Sequence, residues 1–128
     1  MNLRQARGKS GEDAVEQYLK KAGYRIVERN WRPGSKSGTA GMRGEIDIIA
    51  WHGKILCFIE VKSRSSEAFG APQESVTRSK QRQISRLANA YVSFHLLDVP
   101  CRFDVAEVWL ASTPPRIQLH ENAFDFVE

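Results

Sequence analysis

Residues 44–64, running from Gly44 to Arg64, read GEIDIIAWHGKILCFIEVKSR. Two runs rich in aliphatic residues flank a His52-Gly53 turn, which is the pattern of a β-hairpin. The second run, ILCFIEV, is apolar almost throughout and reads as a strand buried on both faces. Four residues stand off the apolar pattern: Glu45, Asp47, Glu60 and Lys62. With Trp51 and Lys54 closing a two-residue loop, Asp47 falls opposite Phe58 and Glu45 opposite Glu60. Asp47 and Glu60 are then diagonal neighbours, about 7 to 8 Å apart at the backbone. Glu60 and Lys62 share a face because side chains alternate along a strand.

Two carboxylates about 7 Å apart at an effective dielectric near 20 repel by roughly 2 kcal/mol, more than a good cross-strand pair returns. Lys62, a raised carboxylate pKa, or a divalent cation taking oxygens from Asp47 and Glu60 would each offset that repulsion. The plain alternative is an exposed sheet face of solvated charges. The buried character of ILCFIEV speaks against it.

An acid on one strand followed by Glu60-Val61-Lys62 on the next resembles the PD-(D/E)XK signature of restriction-endonuclease-like nucleases, with Ile46 where the literal motif has proline. Further along, Gly11-Glu12, Asn30-Trp31-Arg32, GEIDIIA, FIEVKSR, Phe69-Gly70, Lys80-Gln81-Arg82 and Arg102-Phe103-Asp104-Val105 are together similar to the bacterial YraN-like family. Those are small proteins similar to archaeal Holliday-junction resolvases, and the likeness covers nearly the whole chain. It implies an α/β (α+β) fold with a restriction-endonuclease-like αβββαβ core, its mixed central sheet flanked by helices. It also implies an acid on the first helix near a metal, a place that Glu12 fills, and pairing of two copies as a homodimer.

At 128 residues, with 41% hydrophobic and 27% charged, the chain reads as one ordinary globular domain spanning 1–128. No apolar run approaches the roughly 20 residues needed to cross a bilayer, and MNLRQARGKS lacks the apolar segment of a signal peptide. The expectation is a cytoplasmic protein with no membrane partner. Cys57 and Cys101 lie in apolar runs without CxxC spacing and are expected to be two reduced core thiols. His52, His95 and His120 are scattered, and no role is assigned to them. The net charge of +4 is unevenly placed: residues 1–64 carry 13 of the 19 Lys and Arg against 7 acids, residues 65–128 carry 6 against 8. A basic first half suits a polyanion such as nucleic acid.

A first helix is expected from about Leu3, or from a Ser10 cap, to Ala22, with Gly23 as its stop. Val15, Leu19 and Ala22 form its apolar stripe, and helical spacing points Glu12 inward; a plain pairing of Glu12 with Lys9 is the alternative. Tyr24–Arg32 reads as a strand with Trp31 packing at its end. Residues 33–43, rich in Gly and Ser, read as a loop in which Lys36 and Arg43 contact phosphates or which merely connects strands. Gly70 and Pro72 keep the stretch from Ser65 to Glu74 out of helix. A second helix is expected from Ser75 or Thr77 to Phe94, with Ile84, Leu87, Ala88, Tyr91 and Phe94 buried and Arg78, Arg82 and Arg86 solvated. Lys80 falls in line with the buried stripe, where it reaches a phosphate or a carboxylate. Strands Arg102–Ala111 and Arg116–His120 follow, and the tail ENAFDFVE is expected to be peripheral.

These readings converge on a Mg²⁺- or Mn²⁺-dependent endonuclease acting on structured or branched DNA. Asp47, Glu60, Glu12 and the Val61 carbonyl are the expected ligands, with Glu45 in reserve, and Lys62 orients the attacking water. Lys80, Arg64, Arg43, Lys36 and Arg32 are the expected nucleic-acid contacts. Two alternatives stay open: a nucleic-acid-binding accessory factor without activity, and an interaction protein with a relic site.

Overall fold

The computed structural model describes residues 3–34, 42–64 and 76–128, and the side chains of 3–8 are left aside. Lys36, Phe69, Gly70 and Pro72, and with them most of the two loops expected around the hairpin, lie outside the described residues. The elements are α1 (Leu3–Lys21), β1 (Tyr24–Trp31), β2 (Ile46–His52), β3 (Ile55–Arg64), α2 (Arg78–Phe94), β4 (Cys101–Trp109) and β5 (Arg116–Phe124). The five strands form one sheet in the order β1-β2-β3-β4-β5. Neighbouring strands are antiparallel except β3 and β4, which run parallel. A parallel pair needs a long crossover, and α2 supplies it. The mixed sheet flanked by helices is the architecture expected from the sequence.

Each helix covers one face. On one side Ile49, Leu56, Phe58, Phe103 and Val105 pack against Ile84, Leu87 and Tyr91 of α2. On the other, Ile48, Ala50, Cys57, Ile59, Ala106 and Val108 pack against Val15 and Leu19 of α1. With both faces covered, β3 and β4 are buried along most of their lengths. Gly23 ends α1 with a φ of +92°, which glycine adopts at no steric cost. Thr77 caps α2 by accepting the Lys80 amide at 3.1 Å. Gly11 is pressed so closely on β3 and β4 that an added Cβ would lie 2.9 Å from Ser63 Oγ and 3.3 Å from Val108 Cγ1.

Besides Phe94, which is 46% exposed in the last turn of α2 where the spacing put it on the buried face, three expectations need correcting. The hairpin closes at His52 and Ile55, not at Trp51 and Lys54, and Gly53 holds the left-handed conformation its turn requires. Carried one residue past the last pair, Ile48 with Ile59, this register sets Asp47 directly across from Glu60 instead of diagonal to it. Second, the tail is not peripheral. β5 continues past His120 through an irregularity at Asn122, whose φ is +53°, and pairs Phe124 with Phe103. Phe124 and Val127 are buried, the Phe124 ring joins the α2-side core, and the Val127 amide donates to Ser85 Oγ at 3.0 Å. Third, Cys57 is buried as expected but Cys101 is exposed, because it is the first residue of β4.

Candidate functional site

The acidic cluster forms where β2 and β3 stop pairing. β3 runs on to Arg64, but its ladder with β2 ends at Ile59. The Val61 amide, left without a strand partner from β2, donates to Asp47 Oδ2 at 2.8 Å. On the other side of β2, Asn30 takes a φ of +52°, a left-handed conformation that asparagine tolerates better than most residues. Its side-chain amide donates to Glu12 Oε1 at 2.9 Å and to Glu45 Oε1 at 3.2 Å. The kink therefore ties the α1 acid to the acid preceding β2.

Carboxylate oxygens of Glu12, Glu45 and Asp47 lie within 4.8 Å of one another. Arg29 bridges Glu12 at 3.2 Å and Asp13 at 2.6 Å, and Arg32 Nε meets Glu45 Oε2 at 2.8 Å. Glu12 faces the acid cluster as expected, and its partners are Arg29 and Asn30 instead of the Lys9 of the alternative reading. Asp47 is pushed up to about 8, first by burial and then by the charge of Glu60, with the Val61 amide pulling the other way. Glu60 is buried and also raised, chiefly by desolvation, while Lys80 and Lys62 lower it. Both carboxyls of the pair are thus shifted toward their protonated forms.

The basic residues singled out from the sequence are dispersed around this centre. Lys80 Nζ lies 4.0 Å from Glu60 Oε2. Lys62 is half-buried, and among the described residues it has no ion pair within 4.0 Å. Arg64 Nε is held at 2.7 Å by Glu107, a carboxylate only 2% exposed, whose other oxygen is 2.8 Å from His120 Nε2. Arg43 is exposed beside Met42 and lines a groove with α2.

Sequence reasoning missed Asn30 as the clasp between Glu12 and Glu45, and it missed the histidines. At the far end of the sheet, His52 stacks on Tyr24 with ring centres 4.2 Å apart and meets Arg102 Nη2 at 3.0 Å. Arg102 also binds both oxygens of the fully buried Asp104, at 2.8 and 3.1 Å. No local spacing announces pairs separated by 50 residues or more.

A divalent cation fits the donor chemistry of the cluster. Three carboxylates offer oxygen only, which suits a hard ion such as Mg²⁺ or Mn²⁺, and their mutual spacing matches ligands drawn around one centre. Asp47 is raised first by burial and then by the charge of Glu60, with Glu12 adding to it.

Fold and site together define an α/β domain with a mixed five-stranded sheet and a carboxylate centre at a strand fork. The chain belongs to Uncharacterised protein family UPF0102, whose model matches residues 11–108 and so contains every acid of the cluster. The YraN-like family expected from the sequence motifs is this one. A UPF0102 protein of Chlorobaculum tepidum is 48% identical over 119 residues, covering 91% of this chain and 84% of the relative. A second, from Alkaliphilus metalliredigens, is 42% identical over 118 residues, covering 91% and 96%. A third, from Geobacter sulfurreducens, is 43% identical over 120 residues, covering 92% and 88%. Among the described residues, no helix is long and apolar enough to cross a membrane.

Proposed function

We infer that the protein is a metal-dependent nuclease of the PD-(D/E)XK type, hydrolysing phosphodiester bonds in structured or branched DNA during recombination or repair. One observation carries the reading: Glu12, Glu45 and Asp47 converge within 4.8 Å at the strand fork, beside Glu60 and Lys62. Glu12, Glu45 and Asp47 would hold the ion, with Glu60 adjoining. Bound there, it supplies charge neutralisation at the phosphate and a water of lowered pKa.

The chain's own residues do the rest. Lys62 is free of a described ion pair, so its ammonium is available to orient the attacking water and to offset charge developing on the phosphate oxygens. Glu60, across from Asp47 and raised by burial, would hold a proton near the reacting atoms. The DNA preference and the homodimer rest on the resemblance to resolvases alone.

A second reading has one observation in its favour. Glu12 and Glu45 already bind Arg29, Asn30 and Arg32, as a self-sufficient cluster in a purely nucleic-acid-binding protein would. Incubation of labelled four-way, flapped and linear DNA with Mg²⁺ or Mn²⁺ separates the two. Cleavage by the wild type and none by Glu60→Gln or Lys62→Met supports the nuclease. Binding without cleavage under every condition supports the accessory protein.

A further inference from the structure

The expectation that Arg82 and Arg86 merely face solvent overlooks the groove they line. Ser79, Arg82, Gln83 and Arg86 recur at i, i+3, i+4 and i+7, so they form one stripe along α2, set apart from the buried stripe of Ile84, Leu87 and Tyr91. Met42 and Arg43 form the opposite wall, and the space between measures about 830 Å³. Lys80 lines it as well. The groove thus holds four cations and no acid among its described lining residues.

A smaller recess adjoins it, shares Met42 and Arg43, and ends on Glu45. The groove and the recess thus meet at Met42 and Arg43, and Glu45 of the acidic cluster lines the recess. Gly44 keeps the two walls together. Its φ is +96°, and a Cβ there would meet Gln83 at 2.6 Å, while Gln83 Nε2 donates to the Arg43 carbonyl at 3.4 Å.

Two of the groove's cations, Arg43 and Arg86, have no carboxylate within 4.0 Å among the described residues. Lys80 lies 4.0 Å from Glu60, and Arg82 Nε donates to the main-chain oxygen of the last residue, Glu128, at 3.3 Å. Arg82 and Arg86 sit four apart on one helix face, a spacing at which like charges repel. The first turn of α2, which holds Lys80, carries no acid to balance the positive end of the helix. A polyanion laid in the groove would relieve all three.

We propose that this α2 groove is a track for the sugar–phosphate backbone of nucleic acid, in which Arg43, Arg82 and Arg86 bind successive phosphates on one side of the acidic cluster. Guanidinium groups suit phosphate oxygens geometrically as well as electrostatically. The proposal rests on the nucleic-acid reading given above, but binding in the groove does not depend on cleavage.

Fluorescence anisotropy with a labelled oligonucleotide, in chelator so that no strand is cut, measures affinity across a salt series. Each lost phosphate contact flattens the slope of log affinity against log salt by about 0.7 to 0.9. Arg82→Gln/Arg86→Gln should flatten it by about 1.5 and weaken binding at least tenfold, with the melting temperature unchanged. Lys21→Gln/Lys54→Gln, charge-matched and at the other end of the sheet, should leave the slope alone. Equal slopes in the two double variants would overturn the proposal, as would binding of anionic phospholipid vesicles or polyglutamate in preference to nucleic acid. Loss of slope in a protein that cuts nothing removes the nuclease reading and keeps the groove. Cleavage by the wild type with slope unchanged in Arg82→Gln/Arg86→Gln does the reverse.

Discussion

The main-chain N–H of Val61 donates to Asp47 Oδ2 at 2.8 Å, so a side chain on β2 supplies the acceptor that the strand's own backbone no longer offers. This bond fixes Asp47 at the fork and directs its carboxyl toward Glu60 and the α1 acid. Replacing Asp47 with alanine leaves the Val61 amide without that acceptor. An unsatisfied group of this kind costs about 1 to 3 kcal/mol. The urea midpoint of Asp47→Ala should therefore fall below that of Asp47→Asn, whose amide oxygen still accepts.

The same carboxyl makes stability depend on pH. Asp47 is raised from 3.8 to about 8, and Glu60 is raised with it. The folded state thus favours the protonated form. The stabilisation is complete below the unfolded value, is lost as pH climbs between those limits, and is gone above about 8. In chelator, the melting temperature of the wild type should fall between pH 5 and pH 9 more steeply than that of Asp47→Asn. An identical slope in the two proteins would contradict the raised Asp47 carboxyl.

Divalent cations should reverse that trend. A cation held by Glu12, Glu45 and Asp47 competes with the proton, so its binding tightens as pH rises. At a hundredfold excess over its dissociation constant it would stabilise the fold by about 2.7 kcal/mol. Thermal melts with Mn²⁺ at pH 8 should show this for the wild type, and Glu12→Gln/Glu45→Gln should lose most of it.

At the far end of the sheet the expected effect is structural. Asp104 is fully buried and receives Arg102, Tyr24 and the Asn122 amide. Arg102→Leu strips that carboxylate of its counter-charge, which for buried pairs costs about 3 to 5 kcal/mol. Chemical denaturation should register the loss, while nucleic-acid binding measured below the transition should not change.

The C-terminal segment offers a similar test. Phe124 stacks on Phe103 with ring centres 5.0 Å apart and closes the α2-side core. Phe124→Ala should destabilise by about 3 to 5 kcal/mol. A change below 1 kcal/mol would mean that the segment packs loosely.

Periodicity made the elements legible: the switch from period two to 3.6 marks β3 and α2, and the caps at Gly23 and Thr77 mark helix ends within a residue or two. The acids at 12, 47 and 60 were legible as outliers in apolar patterns. Their exact relation was not, because moving the hairpin closure from Trp51 and Lys54 to His52 and Ile55 turns a diagonal pair into a facing one, and one Gly-containing turn accommodates both registers. The tail was misjudged for a different reason. ENAFDFVE mixes four polar with four apolar residues in no regular period, and only the bulge at Asn122 turns Phe124 onto the core. Arg64 with Glu107, and Arg102 with His52, depend on strands distant in sequence becoming neighbours, which no local rule encodes.

Gly11 precedes Glu12 on α1 and touches Ser63 and Val108 without a side chain of its own. The reach of Glu12 toward Asp47 is thereby calibrated by a missing methyl group. Alanine at that position would act as a shim under the helix, widening the gap between the α1 acid and its two companions while leaving every one of the three carboxylates chemically intact.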